Sequence, residues 1–314
     1  AQEDFRPGER LFGFWEPDGA WYPCSLLKLR RTDRRPKVQW EDGTFSLLDL
    51  KEVTRKRKRK EAPGPPAELE LAPRHALPPH RYVLAPMVGG SELPFRMMAR
   101  RYGAQLCYTP MIYSGPFASD ASYREDPELG LHTCGEDRPL VAHFCGNDPD
   151  VLLKAAKHVV GKVDAVDLNL GCPQRVAHSE HFGSYLLDEA DRELVCRIVK
   201  RLSDSLPVPV FCKIRLLDEM DDTVRLVKQL EASGASLIAV HARYRGTPTH
   251  RRDGAAHLDQ LPALKKVLRI PLLANGNVRA WGDVVANLES TGADGVMSAE
   301  GLLDDPCLFW RAKE

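Results

Sequence analysis

From Arg81 onward the sequence alternates apolar runs of strand length with amphipathic stretches of helical period, and this alternation restricts the fold more than any other feature. Eight runs are strand candidates: Tyr82–Ala85, Leu106–Thr109, Leu140–Phe144, Ala165–Leu168, Val208–Ile214, Leu237–Val240, Pro271–Ala274 and Gly295–Ser298. Most precede a helical segment. Asn147-Asp148-Pro149 offers a cap and a first-turn proline before a helix expected over Asp150–Val160. A helix containing Met98–Tyr102 is expected to stop at Gly103, and one containing Thr223–Glu231 before Gly234. Eight β-then-α units in residues 81–314 fit an α/β TIM (β/α)8 barrel, whose chemistry sits at the C-terminal ends of the strands. A doubly wound open sheet is the alternative, although it usually has fewer strands. No G-x-G-x-x-G follows the first run and no Walker A motif is present, which argues against both nucleotide folds.

The preceding residues have a different character. Residues 1–53 read as a small all-β, SH3-like barrel, with strands expected at Glu9–Trp15, Trp21–Leu29, Pro36–Trp40 and Thr44–Leu48. The turn signals Pro17-Asp18-Gly19 and Glu41-Asp42-Gly43 separate them. Residues 54–80 read as a linker: the basic run 55–60, then a proline-rich stretch that holds neither helix nor central strand. The barrel segment is then 81–314. Charge divides along the same line. The chain has 44 Lys+Arg and 44 Asp+Glu, but residues 1–60 hold 15 against 10, leaving the remainder at −5.

An apolar fraction of 43% is enough for a sizeable core, and no apolar run reaches the roughly 18 residues of a membrane span. No signal-peptide pattern opens the chain, so a soluble, non-secreted protein is expected. Eight scattered cysteines without a C-x-x-C pair point to reduced thiols and to no metal site. The compartment expected is the cytoplasm, the nucleus or both, with the basic run as solvated linker, nuclear signal or RNA contact. The chain begins at Ala1 rather than Met, which fits a piece of a longer protein.

The informative residues fall where a barrel places its site. The first run ends in Ala85-Pro86-Met87, the third contains His143, and the fourth leads into Asn169-Leu170-Gly171-Cys172-Pro173-Gln174. The fifth gives Lys213 and Arg215, the sixth His241 and Arg243, the seventh Asn275-Gly276-Asn277, and the eighth Ala299-Glu300-Gly301. Glycines near the seventh and eighth strands let backbone N–H groups approach a phosphate. A lysine inside a barrel mouth supplies positive charge to an electron-rich ring. Flavin mononucleotide satisfies both requirements.

These elements, with Cys107-Tyr108-Thr109-Pro110-Met111, Cys212-Lys213-Ile214-Arg215 and Gly295-Val296-Met297-Ser298-Ala299-Glu300-Gly301, resemble the FMN-dependent tRNA-dihydrouridine synthases over about residues 82–310. The Met-Ser-Ala-Glu-Gly ending is most similar to the eukaryotic type acting at positions 16/17 of the tRNA D-loop. The resemblance implies that the C5=C6 bond of a tRNA uridine is reduced, with NADPH as reductant of FMN, hydride passing to C6 and Cys172 giving a proton to C5. A thiol, with an unperturbed pKa of about 8.5, is protonated at neutral pH and suits that role. Cofactor contacts implied are Ala85, Pro86, Met87, His143, Lys213, His241, Asn275, Gly276, Asn277, Ala299 and Glu300; substrate contacts implied are Asn169, Arg215 and Arg243. The uridine must be unstacked to lie on the flavin.

Departures accompany the likeness. His143 stands where many members have Gln, Glu300 where many have Arg, and Ala242 where Gly is common. A helical tRNA-binding domain follows the barrel in the family, and this sequence stops at Glu314; either the chain is truncated or the basic N-terminal segment substitutes. Residues 5–53 resemble a Tudor domain through Trp15, Trp21-Tyr22-Pro23 and Val38-Gln39-Trp40-Glu41-Asp42-Gly43. That likeness implies a cage of Trp15, Tyr22, Trp40 and Phe45 for a methylated protein ligand; the same aromatics also read as the core of a small barrel. A second function class therefore stands beside the reductase: a non-catalytic methyl-mark reader or RNA-associated adaptor with a degenerate flavin barrel. A dihydroorotate dehydrogenase is a third reading, disfavoured by the Asn169–Pro173 element. The cysteines other than Cys172 read as packing, and His132, His178 and His181 as loop residues.

Overall fold

The computed structural model describes residues 10–15, 20–29, 36–40, 45–47, 53–54, 76–245 and 254–313. The chain divides into two units, Ala1–Leu71 and Ala72–Glu314. In the first, β1 (Arg10–Trp15), β2 (Ala20–Leu29), β3 (Pro36–Trp40), β4 (Phe45–Leu47) and β5 (Val53–Thr54) form a sheet in the order β4-β3-β2-β1-β5. Its pairs are antiparallel, as short connections permit. Cys24 on β2 is buried. The side chains of Trp15, Tyr22, Trp40 and Phe45 lie outside those described, as does the basic run 55–60.

In the second unit all eight expected strands form: β6 (Tyr82–Leu84), β7 (Leu106–Tyr113), β8 (Leu140–Cys145), β9 (Ala165–Leu170), β10 (Val210–Leu216), β11 (Leu237–Tyr244), β12 (Leu272–Asn275) and β13 (Gly295–Ser298). Each pairs in parallel with the next, and β13 returns to β6 through Val296↔Tyr82, Met297↔Val83 and Ser298↔Leu84. That closing ladder excludes the open doubly wound sheet.

The helices around the barrel are α1 (Leu93–Arg101), α2 (Ser114–Ser119), α3 (Ala121–Glu125), α4 (Pro149–Lys157), α5 (Arg175–Ser179), α6 (Arg192–Ser205), α7 (Met220–Ala232), α8 (Leu261–Val267), α9 (Trp281–Thr291) and α10 (Glu300–Asp304). Asp148 caps α4 as its sequence indicates, its carboxylate accepting the Asp150 and Val151 N–H groups at 2.8 and 3.0 Å. The helix ends at Lys157, short of the expected Val160. No helix among the described residues is long and apolar enough to cross a membrane.

The alternation of strand side chains divides the core into two layers. Val166, Leu168 and Leu170 of β9, with Ile238 and Val240 of β11 and Leu272 and Ala274 of β12, pack under the helices. Val83, Leu106, Val141, Ala165, Phe211, Leu237, Leu273 and Met297 fill the barrel interior. Each fully buried aliphatic or aromatic side chain contributes on the order of 1.5–3 kcal/mol. Continuing the inward alternation toward the C-terminal ends brings His143, Asp167, Asn169, Lys213, His241 and Asn275 to the barrel mouth. The packing that closes the barrel also aims the polar residues.

Two strands run four residues beyond the sequence reading. β7 runs through Pro110 to Tyr113, past the expected end at Thr109; the register shifts between Tyr108 and Met111, and a bulge there demands no ladder bond from the N–H that proline lacks. β11 continues to Tyr244, with His241 and Arg243 lining the mouth while Ala242 and Tyr244 pack against the core under the helices. Cys134 and Cys307 are exposed, not packed. His178 belongs to α5 and its ring lies 5.0 Å from that of Tyr185, while His181 Nε2 is 3.0 Å from Asp191 Oδ2. The α1 end of the barrel is tied by buried Arg96, which donates through Nε and Nη2 to Asp137 Oδ2 at 2.9 and 2.7 Å. Arg100 Nε completes the group, 3.1 Å from Asp137 Oδ1.

Candidate active site

A cavity of about 590 Å³ opens at the C-terminal ends of β6, β10, β11, β12 and β13. That volume falls within the range of small-molecule and cofactor sites. Nine of the eleven residues read as cofactor contacts line it: Ala85 and Pro86 from β6, Lys213 from β10, His241 from β11, Asn275, Gly276 and Asn277 from β12, and Ala299 and Glu300 from β13. Met87 and His143 do not. Arg243, Val278, Arg279, Asp283 and Ser298 also line it, and of these only Arg243 was singled out from the sequence.

Lys213 is the cation of the cavity floor. Its Nζ donates to Asn275 Oδ1 at 3.3 Å, and Asn275 Nδ2 donates to the Met297 carbonyl at 2.9 Å, which sets the orientation of the amide. Burial, and then the neighbouring Arg215, bring the lysine from its ordinary 10.5 down to about 8. It keeps its charge at neutral pH by a narrow margin. Asp167, one inward position below on the adjacent strand, pulls the other way.

His241 is neutral. Burial first, then Lys213, Arg215 and Arg243, lower it to about 2. Arg243 Nη1 lies 3.1 Å from His241 Nε2. An arginine can only donate, so Nε2 accepts and the ring proton is on Nδ1. Arg243 also donates to the Gly254 carbonyl at 2.7 Å and to Asn277 Oδ1 at 3.3 Å. These contacts tie it to the cavity wall.

Beneath this floor His143 Nδ1 and Asp167 Oδ2 stand 2.6 Å apart, both buried. Burial raises the Asp167 carboxyl, and the His143 hydrogen bond opposes that rise. Asp167 Oδ1 and Tyr108 Oη have no protein partner among the described residues. His143 is thus directed to a carboxylate on the neighbouring strand, a pairing that depends on the His143↔Asp167 register.

Cys172 lies on the loop after β9, three residues beyond Asn169, which pairs with Lys213 across the ladder. Burial raises its thiol above the ordinary value, against a hydrogen bond from the Gln174 backbone and the charges of Arg215 and Lys213. The group is a thiol, not a thiolate, at neutral pH. Asn169 Oδ1 accepts the Gly171 and Cys172 N–H groups at 2.9 and 3.0 Å, and its Nδ2 is 3.0 Å from Met111 Sδ. Arg215 Nε donates to the Gly171 carbonyl at 2.9 Å. Asn169 and Arg215, two of the three residues read as substrate contacts, hydrogen-bond to the loop that carries the thiol.

A family model described as "Dihydrouridine synthase (Dus)" matches residues 83–314. The mouse "tRNA-dihydrouridine(16/17) synthase [NAD(P)(+)]-like" protein is 45% identical over 229 residues, covering 73% of this chain and 47% of that protein. The Saccharomyces cerevisiae tRNA-dihydrouridine(16/17) synthase is 43% identical, covering 72% and 53%. The human "tRNA-dihydrouridine(20a/20b) synthase [NAD(P)+]-like" protein is 37% identical, covering 72% and 70%. The chain spans about half the length of the first two of these curated relatives. Among solved structures, histamine dehydrogenase from Rhizobium sp. 4-9 superposes with a TM-score of 0.53 at 12% identity, over 74% of this chain and 45% of that one. A 2-naphthoyl-CoA reductase complex gives 0.56 at 10%, over 77% and 51%. At these identities the likeness is one of fold.

Proposed function

The chain belongs to the dihydrouridine synthase family, and on that premise we propose that it reduces the C5=C6 bond of a tRNA uridine to dihydrouridine. The observation that carries this reading is the convergence of Lys213, His241, Asn275 and two glycine-bearing loops on one cavity, next to the strand whose loop presents a protonated Cys172. The relatives named for positions 16/17 are more similar to it than the one named for 20a/20b, which supports the D-loop positions 16/17.

Flavin mononucleotide fits the residues present. Gly276 has a φ of +135°, and a Cβ there would stand 2.6 Å from that of Ala256. At Gly301 a Cβ would meet the Val278 carbonyl oxygen at 2.1 Å. The loops after β12 and β13 therefore approach closer than side chains allow, presenting main chain at the cavity wall where a phosphate would be held. Arg243 and Arg279 add positive charge at that end. When bound, the flavin supplies two-electron redox chemistry, with NADPH as the source of reducing equivalents.

The chain's own residues do the rest. Lys213 holds a positive charge at the cavity floor, where negative charge on a reduced ring is favoured. Neutral His241 offers the Nδ1 proton while Arg243 holds its ring. Cys172, protonated at neutral pH, delivers a proton to C5 of the base and takes one back from solvent afterwards. An extruded or looped uridine reaches such a recessed site, whereas a stacked one does not. The intact cavity and its cations disfavour reading the barrel as an inert scaffold.

In the same proposal residues 1–53 are a separate β module, 54–80 a linker and 81–314 the catalytic barrel. A methylated protein ligand at the aromatics of the first, and a cytoplasmic or nuclear location read from the basic run, rest on sequence pattern alone. The test is optical: the purified chain supplied with FMN should show flavin absorption that bleaches under NADPH without air. A chain that takes up no flavin would end the reading.

A further inference from the structure

Cys172 is held on one side by the strand that leads to it and on the other by the segment beyond α5. Its N–H group donates to Asn169 Oδ1 at 3.0 Å, which fixes the peptide plane on one side. Its carbonyl oxygen accepts two hydrogen bonds from one residue, the Ser184 N–H and the Ser184 hydroxyl, each at 3.0 Å. The next carbonyl, of Pro173, accepts the Tyr185 hydroxyl at 3.0 Å. Gly183, with φ +65°, approaches so near that a Cβ would stand 2.7 Å from the Cys172 carbonyl oxygen and 3.0 Å from the Cys172 Cβ. This segment is anchored in turn: Arg245, just past β11, donates to Asp188 Oδ1 at 2.5 Å and to the Ser184 carbonyl at 3.5 Å.

We propose that Gly183-Ser184-Tyr185 is the positioning bracket of Cys172, setting the direction in which its thiol proton is delivered. Peptide groups are planar, so pinning the N–H on one side and the carbonyl on the other fixes the φ and ψ of Cys172. The Cα–Cβ bond then has one direction, and only χ1 remains to aim the sulfur. Neither these three residues nor Cys172 is among those lining the cavity, and Tyr185 and Cys172 pack in one cluster with Phe182. Their action is through the loop, and a displacement of about 1 Å in a reacting group costs on the order of a hundredfold in rate. The inference rests on the reading of Cys172 as proton donor.

The test uses the full chain with FMN, NADPH and unmodified tRNA, and compares wild type with the double variant Ser184→Ala/Tyr185→Phe. Product formation at saturating tRNA should fall about tenfold or more, with KM for tRNA within about twofold and little change in melting temperature. Ser184→Thr alone, which keeps a hydroxyl, should retain near wild-type kcat. A second readout does not depend on turnover: alkylation of Cys172 by iodoacetamide at fixed pH, followed on its own peptide, should change several-fold in the double variant. Unchanged kcat in the double variant would overturn the bracket, as would a loss that tracks melting temperature and is shared by Ser184→Thr. If wild type itself makes no dihydrouridine, the functional reading fails, while equal alkylation rates would still overturn the bracket.

Discussion

Lys213→Met deletes the ammonium and keeps most of the side chain's length and volume. The lysine falls from its ordinary 10.5 to about 8 because burial and Arg215 disfavour its charge. At about 1.4 kcal/mol per tenfold change in proton affinity, the charged form is less favourable in the folded chain by on the order of 3 kcal/mol. The direction with pH follows from proton counting. The unfolded chain keeps this proton up to 10.5 and the folded chain only to about 8, so stability rises as pH climbs between those values and the whole penalty is present below them. Methionine removes the penalty but leaves Asn275 Oδ1 without its donor, which takes back about 1–2 kcal/mol. The flavin-free variant should therefore be more stable than wild type by about 1–2 kcal/mol at pH 7, or roughly 2–8 °C. It should also lose flavin binding. Urea unfolding of both proteins at pH 7 and pH 10, read from the barrel transition, measures the gap at each pH. A variant less stable at pH 7, or a gap that does not narrow at pH 10, would refute the assignment of Lys213 as a destabilising charge retained for function.

Asp137→Ala leaves buried Arg96 and part-buried Arg100 without their counter-charge and should destabilise the barrel by about 3–5 kcal/mol, seen as a drop in urea midpoint. A loss under about 1 kcal/mol would mean the group is hydrated or rearranges. His241, lowered to about 2, should show no titration in its ring resonances across the physiological range. A shift with a midpoint near the ordinary 6.5 would contradict the cationic surroundings assigned to it.

Much of the barrel is legible in the sequence because its strands are buried on both faces and read as continuous apolar runs. The ends are harder. The second run reads as ending at Thr109, yet β7 continues through a bulge at Pro110, and only the partner strand shows that. Asn275 and Gly276 could be found because they follow their apolar run directly, and Lys213 because it is a lone charge near the end of an otherwise apolar run. Asp167 is visible as part of the fourth run, but its pairing with His143 depends on the register of two strands. Ser184 and Tyr185 carry no signal of their own; they sit in an apolar stretch that meets the Cys172 loop only after the chain has turned back through α5. Asn169 and Arg215 look like substrate ligands by type and position; that each also hydrogen-bonds the loop bearing Cys172 is visible only in the structure.

The central claim is that Cys172 supplies a proton to a uridine reduced at this cavity. The most direct measurement compares wild type and Cys172→Ala, each with FMN, NADPH and unmodified tRNA, by mass spectrometry of the digested RNA. Wild type should add two hydrogens to a D-loop uridine; Cys172→Ala should bind flavin and be bleached by NADPH at the wild-type rate, yet leave the uridine unreduced. Dihydrouridine formed equally by both proteins would remove the proposed proton donor, and none formed by wild type would remove the proposed reaction.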